Sequence, residues 1–187
     1  MKFIQKIREQ IGFWMLRRKT EDVQRNRADA IRWSEKPSIA LLYFNRPEEE
    51  KYLHDWIEQK GRDGFKIRSL GFVELNKGEV LPPAGLRYEY FSQHDLNWWY
   101  QPNAVAVKNF IEEEFDVLID LDRIGRLPIR YALQQSKSRM KIGRCGEDVP
   151  FDLCFEVDKN TPIESFLQTT EQYLDMFDPK NVSNEKV

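Results

Sequence analysis

Cysteine and histidine are scarce in this chain: its 187 residues hold two of each. Cys145 and Cys154 are too few for a disulfide framework. The N-terminus lacks the uninterrupted apolar core and small-residue cleavage site of a signal peptide, so the two read as reduced thiols of a cytoplasmic protein. His54 and His94 are far apart and neither cysteine has a close ligand pattern, so no metal and no other cofactor is expected. The segment Gly61-Arg62-Asp63-Gly64-Phe65-Lys66 does not fit a Walker A loop, and there is no GxSxG elbow. Pairing Cys145 or Cys154 with His94 as a nucleophile has no local support. No apolar run approaches the roughly 18 residues of a spanning helix. The first strand-to-helix turn carries Glu48-Glu49-Glu50 where a dinucleotide site needs glycines, which argues against that reading. No catalytic residue is assigned.

Apolar residues make up 41% of the chain, enough for the core of one domain. A net charge of −2 conceals segregation. Residues 1–36 carry ten basic and five acidic side chains, and residues 123–144 carry seven basic and no acidic ones, which leaves −14 on the remainder. Two basic segments on an acidic body favour contact with anions even when the total is near neutral.

The first twenty residues have helical spacing. Phe3, Ile7, Ile11 and Trp14 form an apolar stripe with Arg17, Arg18 and several lysines around it. Three readings stay open: packing on its own domain, docking on a protein or RNA partner, or lying on a membrane surface. Residues 20–36 read as a helix continuation or linker. The α/β body occupies 37–177 and a flexible tail 178–187. Strands are expected at Ile39 to Phe44, Phe65 to Leu75 with Gly71 as a bulge, Tyr88 to Phe91, Val117 to Leu121, Met140 to Gly143 and Phe151 to Val157. Asn45 is placed to cap the helix that starts at Pro47, and Thr161-Pro162-Ile163-Glu164 to form a capping box for the last one. Alternating strands and helices predict a three-layer α/β fold: a mostly parallel, Rossmann-like or flavodoxin-like sheet of about five strands, with an N-terminal amphipathic helix.

Two stretches carry candidate chemistry. Arg123, Arg126, Arg130, Lys137, Arg139, Lys141 and Arg144 form a basic run that reads either as a solvated face or as an anion or nucleic-acid footprint. Its first arginines follow a strand, where unpaired helix N–H groups attract phosphate. Asp120 and Asp122 act against this, as partners of those arginines or as repellers of the anion. The second stretch crowds His94, Asp95, Asn97, Trp98, Trp99 and Tyr100 together. With Asp120 and Asp122 it suggests a pocket wall or a base-stacking surface, or else a loop covering a sheet edge.

Leu70-Gly71-Phe72-Val73, Asp95-Leu96-Asn97-Trp98 with Pro102, Phe110-Ile111 followed by Phe115-Asp116-Val117-Leu118-Ile119, Ser136-Lys137-Ser138-Arg139-Met140-Lys141-Ile142-Gly143 and Phe151-Asp152-Leu153 occur in that order. Together they resemble a family of short uncharacterised bacterial proteins, typical of the Bacteroidota and classed as a domain of unknown function, over roughly residues 37–177. Relatives read alanine near Ser138. The family implies no activity, so it transfers no site residue. The stretch 115–144 is also similar in rhythm to the N-terminal half of heptosyltransferase-like glycosyltransferases, which implies a Rossmann-like layer order. The leading expectation is a non-catalytic protein that holds a polyanion, RNA or a ribonucleoprotein, on the basic run. The alternatives are an enzyme-like domain with a small phosphate- or nucleotide-ligand site near Asp120 to Arg126, walled by His94 to Tyr100, and a peripheral protein held at the inner membrane face by the N-terminal helix.

Overall fold

The structure, a computed structural model, describes the backbone of residues 2–19, 31–146 and 151–178, and the side chains of that set apart from 2–6 and 17–19. In chain order the elements are α1 (Lys2–Lys19), β1 (Ile39–Phe44), α2 (Pro47–Arg62), β2 (Ile67–Val73), β3 (Tyr88–Ser92), α3 (Val105–Glu112), β4 (Val117–Asp120), α4 (Leu127–Gln135), β5 (Met140–Arg144), β6 (Leu153–Phe155) and α5 (Ile163–Met176). Six strands form one sheet, in the order β3-β2-β1-β4-β5-β6, and every pairing is parallel. This is the doubly wound order of a Rossmann-like sheet rather than the 2-1-3-4-5 order of flavodoxin.

Parallel strands bury both faces, which is why β1 and β4 read as unbroken apolar runs. Ile39, Leu41 and Tyr43, with Val117 and Ile119, point to one face, where Leu53, Trp56 and Ile57 of α2 and Phe166 and Leu167 of α5 cover them. Ala40, Leu42 and Leu118 point to the other, under Val107 and Phe110 of α3 and Ile129 and Leu133 of α4. Glu171 ties α5 to α2 by accepting from Trp56 Nε1 and Lys60 Nζ, both at 2.5 Å.

Several local expectations change. Gly71 is not a bulge: the ladder runs through it, from Tyr43 on β1 to Tyr90 on β3, and a Cβ there would strike both tyrosine rings. Asn45 does not cap α2; the N-cap is Arg46, with no side-chain bond. The last helix starts from Pro162 without a capping box. A capping box occurs instead between Ser92 and Asp95, in a short 3₁₀ turn after β3. Asp178, placed in the tail, is buried and accepts from the Ser34 N–H at 2.7 Å. Residues 20–30 of the expected linker and 179–187 of the tail lie outside the described residues.

The face by which α1 packs is not its apolar stripe. Gly12 and Leu16 face the domain, while Ile7, Ile11 and Trp14 are 40%, 36% and 53% exposed. The cause is close approach: any side chain at Gly12 would collide with the Trp99 carbonyl and Leu127. Arg8 holds the same contact, donating from Nε to the Trp98 carbonyl at 2.8 Å with its guanidinium 4.1 Å from the Trp98 ring centre. Phe3, Arg17 and Arg18 have no described side chains. Among the described residues no helix is long and apolar enough to cross a membrane.

Cys145 and Cys154, expected as free thiols, are joined in a disulfide. The fold explains why they meet. β6 follows β5 closely in the chain and pairs beside it, with Gly143 opposite Cys154. The bridge therefore staples a three-residue edge strand to its only neighbour. Closing a loop with a sequence separation of 9 restricts the unfolded chain by about 2–3 kcal/mol. Urea denaturation of oxidised protein against dithiothreitol-treated protein, or against Cys145→Ser, should show a stability loss of that order. Equal midpoints would mean that the bridge contributes nothing to the fold.

Candidate anion site at the sheet switch point

Strand order reverses between β1 and β4, so the loops leaving those strands diverge to opposite faces and leave a crevice at their carboxyl ends. It is narrow, about 10 Å³, and its walls include Phe44 at the end of β1, Asn45 and Arg46 after it, Glu49 in the first turn of α2, and Asp122 and Arg123 after β4.

The loop after β4 is built by its two aspartates. Asp120 Oδ1 accepts from the Asp122 N–H at 2.9 Å, and Asp122 Oδ2 accepts from the Arg126 N–H at 2.6 Å. Asp122 Oδ1 also takes the Arg126 guanidinium at 2.5 Å. Gly125 makes the turn at φ +66°, a left-handed conformation that disfavours a side chain, and the Arg130 guanidinium packs where its Cβ would be. Arg126 then lies 3.5 Å from the centre of the Phe44 ring, a stacked cation–π contact. Arg123 pairs with Glu49. Arg144, at the end of β5, sits 4.4 Å from the Phe166 ring centre and donates to the carbonyls of Asp158 and Thr161 at 3.4 and 3.2 Å.

These arginines crowd one another. Burial first, and then the charge of Arg46, holds the Arg123 guanidinium below its ordinary range; burial, with Arg123 and Arg46 adding to it, does the same to Arg144. The Nε atoms of Arg123 and Arg144 and the Oδ1 of Asn45 are buried without a hydrogen-bond partner. Among the described residues Arg46, Arg130 and Arg144 form no ion pair. Asp120 lies beneath them. Burial and the neighbouring Asp122 push its carboxyl up to about 7, against the lowering effect of the Asp122 N–H, Arg130 and Arg144. The aspartate that weakened the anion reading in the sequence is thus largely neutral in weak acid.

The seven basic residues do not share a face. Arg123, Arg126, Arg130 and Arg144 gather at the carboxyl rim. Lys137 and Arg139 precede β5 at the opposite rim, about 16 Å away along the strand, where they pair with Glu112 at 2.5 Å and Asp116 at 2.9 Å. Lys141 is only 2% exposed and donates to the Gln134 carbonyl at 3.2 Å, so it cannot meet an external anion. Strand β5 is the reason: its ends face opposite rims and its middle is core.

The aromatic stretch is also redistributed. Asp95 is engaged with Ser92, and Asn97 Oδ1 accepts from the N–H groups of Trp99 and Gln101 at 2.9 and 3.0 Å, folding the loop on itself. His94, Asp95 and Asn97 border a shallow hollow with Asn103 and Ala104. Trp98 is 60% exposed beneath Arg8, and the Trp99 carbonyl abuts α1. None of these residues, nor Asp120 or Asp122, lines the larger cleft, where Gln93, Leu96 and Tyr100 face Ile124 to Pro128. Arg46 is a site residue that sequence reasoning passed over, and Tyr100 is the one residue of the expected aromatic wall that lines this cleft. For Arg46 the signal was its place directly after β1; for Tyr100 it was the crowding of the stretch, which does not say which ring turns inward.

The chain belongs to the family of unknown function DUF6913, whose model matches residues 8–177. No curated protein and no solved structure matches it.

The Asp120 carboxyl sets a pH dependence. Its folded value of about 7 lies above the unfolded value of about 3.9. The stability contributed by neutral Asp120 is therefore complete below about pH 4 and is lost as pH rises through 7. Asp120→Asn keeps the acceptor for the Asp122 N–H and stays neutral. Its stability should match wild type near pH 4 and exceed it at pH 8, by at most about 4 kcal/mol. Denaturation midpoints across that range test this, and a difference that does not change with pH would refute the assignment.

Proposed function

We propose that this domain binds a small anionic molecule, carrying a phosphate or carboxylate group, at the rim between β1 and β4. Arg123, Arg126 and Arg144 hold the anion, and Arg46 and Arg130 add to the field. The observation that carries this reading is the pair of buried Nε donors on Arg123 and Arg144 that lack partners. Buried donors without partners are costly, and an anion supplies the missing acceptors. It also offsets the mutual repulsion of the gathered guanidinium groups. A charged ligand excluded from water by Phe44 and Phe166 would be bound more strongly than on an open surface.

RNA or a ribonucleoprotein as partner has less support, because Lys137, Arg139 and Lys141 have internal partners away from the rim. A second reading has its own observation: α1 turns Ile7, Ile11 and Trp14 outward, which suits docking on a partner or on an anionic membrane surface.

Calorimetric titration of the intact protein with inorganic phosphate and small carboxylates should give saturable binding. Arg144→Gln or Arg46→Ala should weaken it by about tenfold. Salt-sensitive binding of RNA that phosphate does not displace, with no small-anion binding, would replace this reading by the polyanion one. For α1, co-sedimentation with phosphatidylglycerol vesicles should be lost in Ile11→Glu/Trp14→Glu; equal pelleting of that variant would exclude the helix as an anchor.

A further inference from the structure

Beside the rim lies a cleft of about 740 Å³, bordered by α1, by the end of β2 and by the loop that leads from β4 into α4. We propose that it takes the body of the same ligand, and that the ligand is an amino-bearing mononucleotide: a planar base in the cleft, joined to a phosphate at the arginine rim. This rests on the anion-site reading.

The volume falls in the range of small-molecule sites. Phe13, Phe72, Leu75, Leu96, Tyr100 and Ile124 line the cleft. That lining suits a flat apolar body, and aromatic rings suit a base. Arg126 connects the two concavities. It borders the cleft, and it also stacks on Phe44 and pairs with Asp122, both of which wall the rim crevice. A ligand that occupied both would pass the Arg126 side chain, which borders the cleft and packs on the walls of the crevice. The carboxylates of Glu9 and Glu74 also border the cleft. They offer acceptors to the amino group of a base, and they would face an aliphatic tail unfavourably. This separates a nucleotide from a fatty acid, the other amphipathic anion that would fit.

The cleft is held in shape before any ligand arrives. The Gln93 side chain clamps Leu75, accepting from its N–H at 2.9 Å and donating to its carbonyl at 2.6 Å. Tyr100 has φ +60°, a left-handed conformation unusual for a bulky residue. It is fixed there by a bond from its N–H to the Asn97 carbonyl at 3.0 Å and by the Arg8 guanidinium 4.9 Å from its ring centre. Strain of this kind persists only where the surroundings enforce it, and it gathers at ligand sites.

The test is titration of the full chain, by calorimetry, with AMP, GMP, CMP, adenosine, inorganic phosphate and octanoate. A mononucleotide should bind at least about tenfold more tightly than phosphate or adenosine alone. Ile124→Trp places bulk at the cleft from a residue that is 62% exposed, so folding should survive. It should abolish the nucleotide advantage and leave phosphate affinity unchanged. Tyr100→Ala should cut nucleotide affinity by about tenfold with phosphate again unaffected. If phosphate binds as tightly as every nucleotide, or if Ile124→Trp leaves the advantage intact, the cleft assignment falls and the anion site stands. Octanoate binding without nucleotide binding would replace the nucleotide by an acyl carboxylate. If no anion binds at all, both readings fall.

Discussion

A sheet whose strands all run parallel has no face it can leave in water, and it sends every strand-to-helix loop to one rim. Most of this structure follows from that constraint. Two helices must cover each face, so β1 and β4 are apolar on both sides and cannot carry chemistry along their length. Polar groups are displaced to the strand ends. At the start of β4, Asp116 accepts from the Ser38 N–H and hydroxyl and from Arg139, which joins the ends of β1, β4 and β5. At the other end the strand order reverses, and the loops after β1 and β4 part to leave the crevice.

That crevice is electrostatically unbalanced. Asp122 organises the loop and pairs with Arg126, and Glu49 pairs with Arg123, while burial and Asp122 raise the Asp120 carboxyl to about 7, so that it is largely neutral only in weak acid. After burial, the charge of Arg46 helps to hold the Arg123 guanidinium below its ordinary range, and Arg123 and Arg46 do the same to Arg144. Such an arrangement costs stability, which the anion proposed above would offset. Asp120 need not oppose that anion, because in its neutral form it brings no repelling charge to the rim.

Much of the fold was legible in residue patterns. The strands of the body and the helices between them could be read from apolar runs, Pro47 and Pro128, and the turn at Gly125. Local chemistry was less reliable. Asn45 looked like a cap and Gly71 like a bulge, because each type favours that role; a bond from the Asn45 N–H to the Phe72 carbonyl of β2 and two facing tyrosine rings accompany the other outcome. For α1 the spacing left open which way the apolar stripe faces, and Ile7, Ile11 and Trp14 are exposed. A helix docks by the face that approaches most closely, and here that is the face with Gly12.

The sequence by itself determined the class of fold, the apolar periods of the elements and the concentration of positive charge in residues 123–144, since these depend on local spacing and composition. Only the tertiary structure decided which of those charges act together. Residues a few positions apart along β5 are sent to opposite rims or into the core, whereas Arg46 is brought from far along the chain to stand with Arg123 and Arg144. It also joined Cys145 to Cys154 and turned Tyr100 toward the cleft. The physical reason is that ion pairing, desolvation and ring contact fall off within a few ångströms, and distance through space is set by strand order, which no local window of sequence contains.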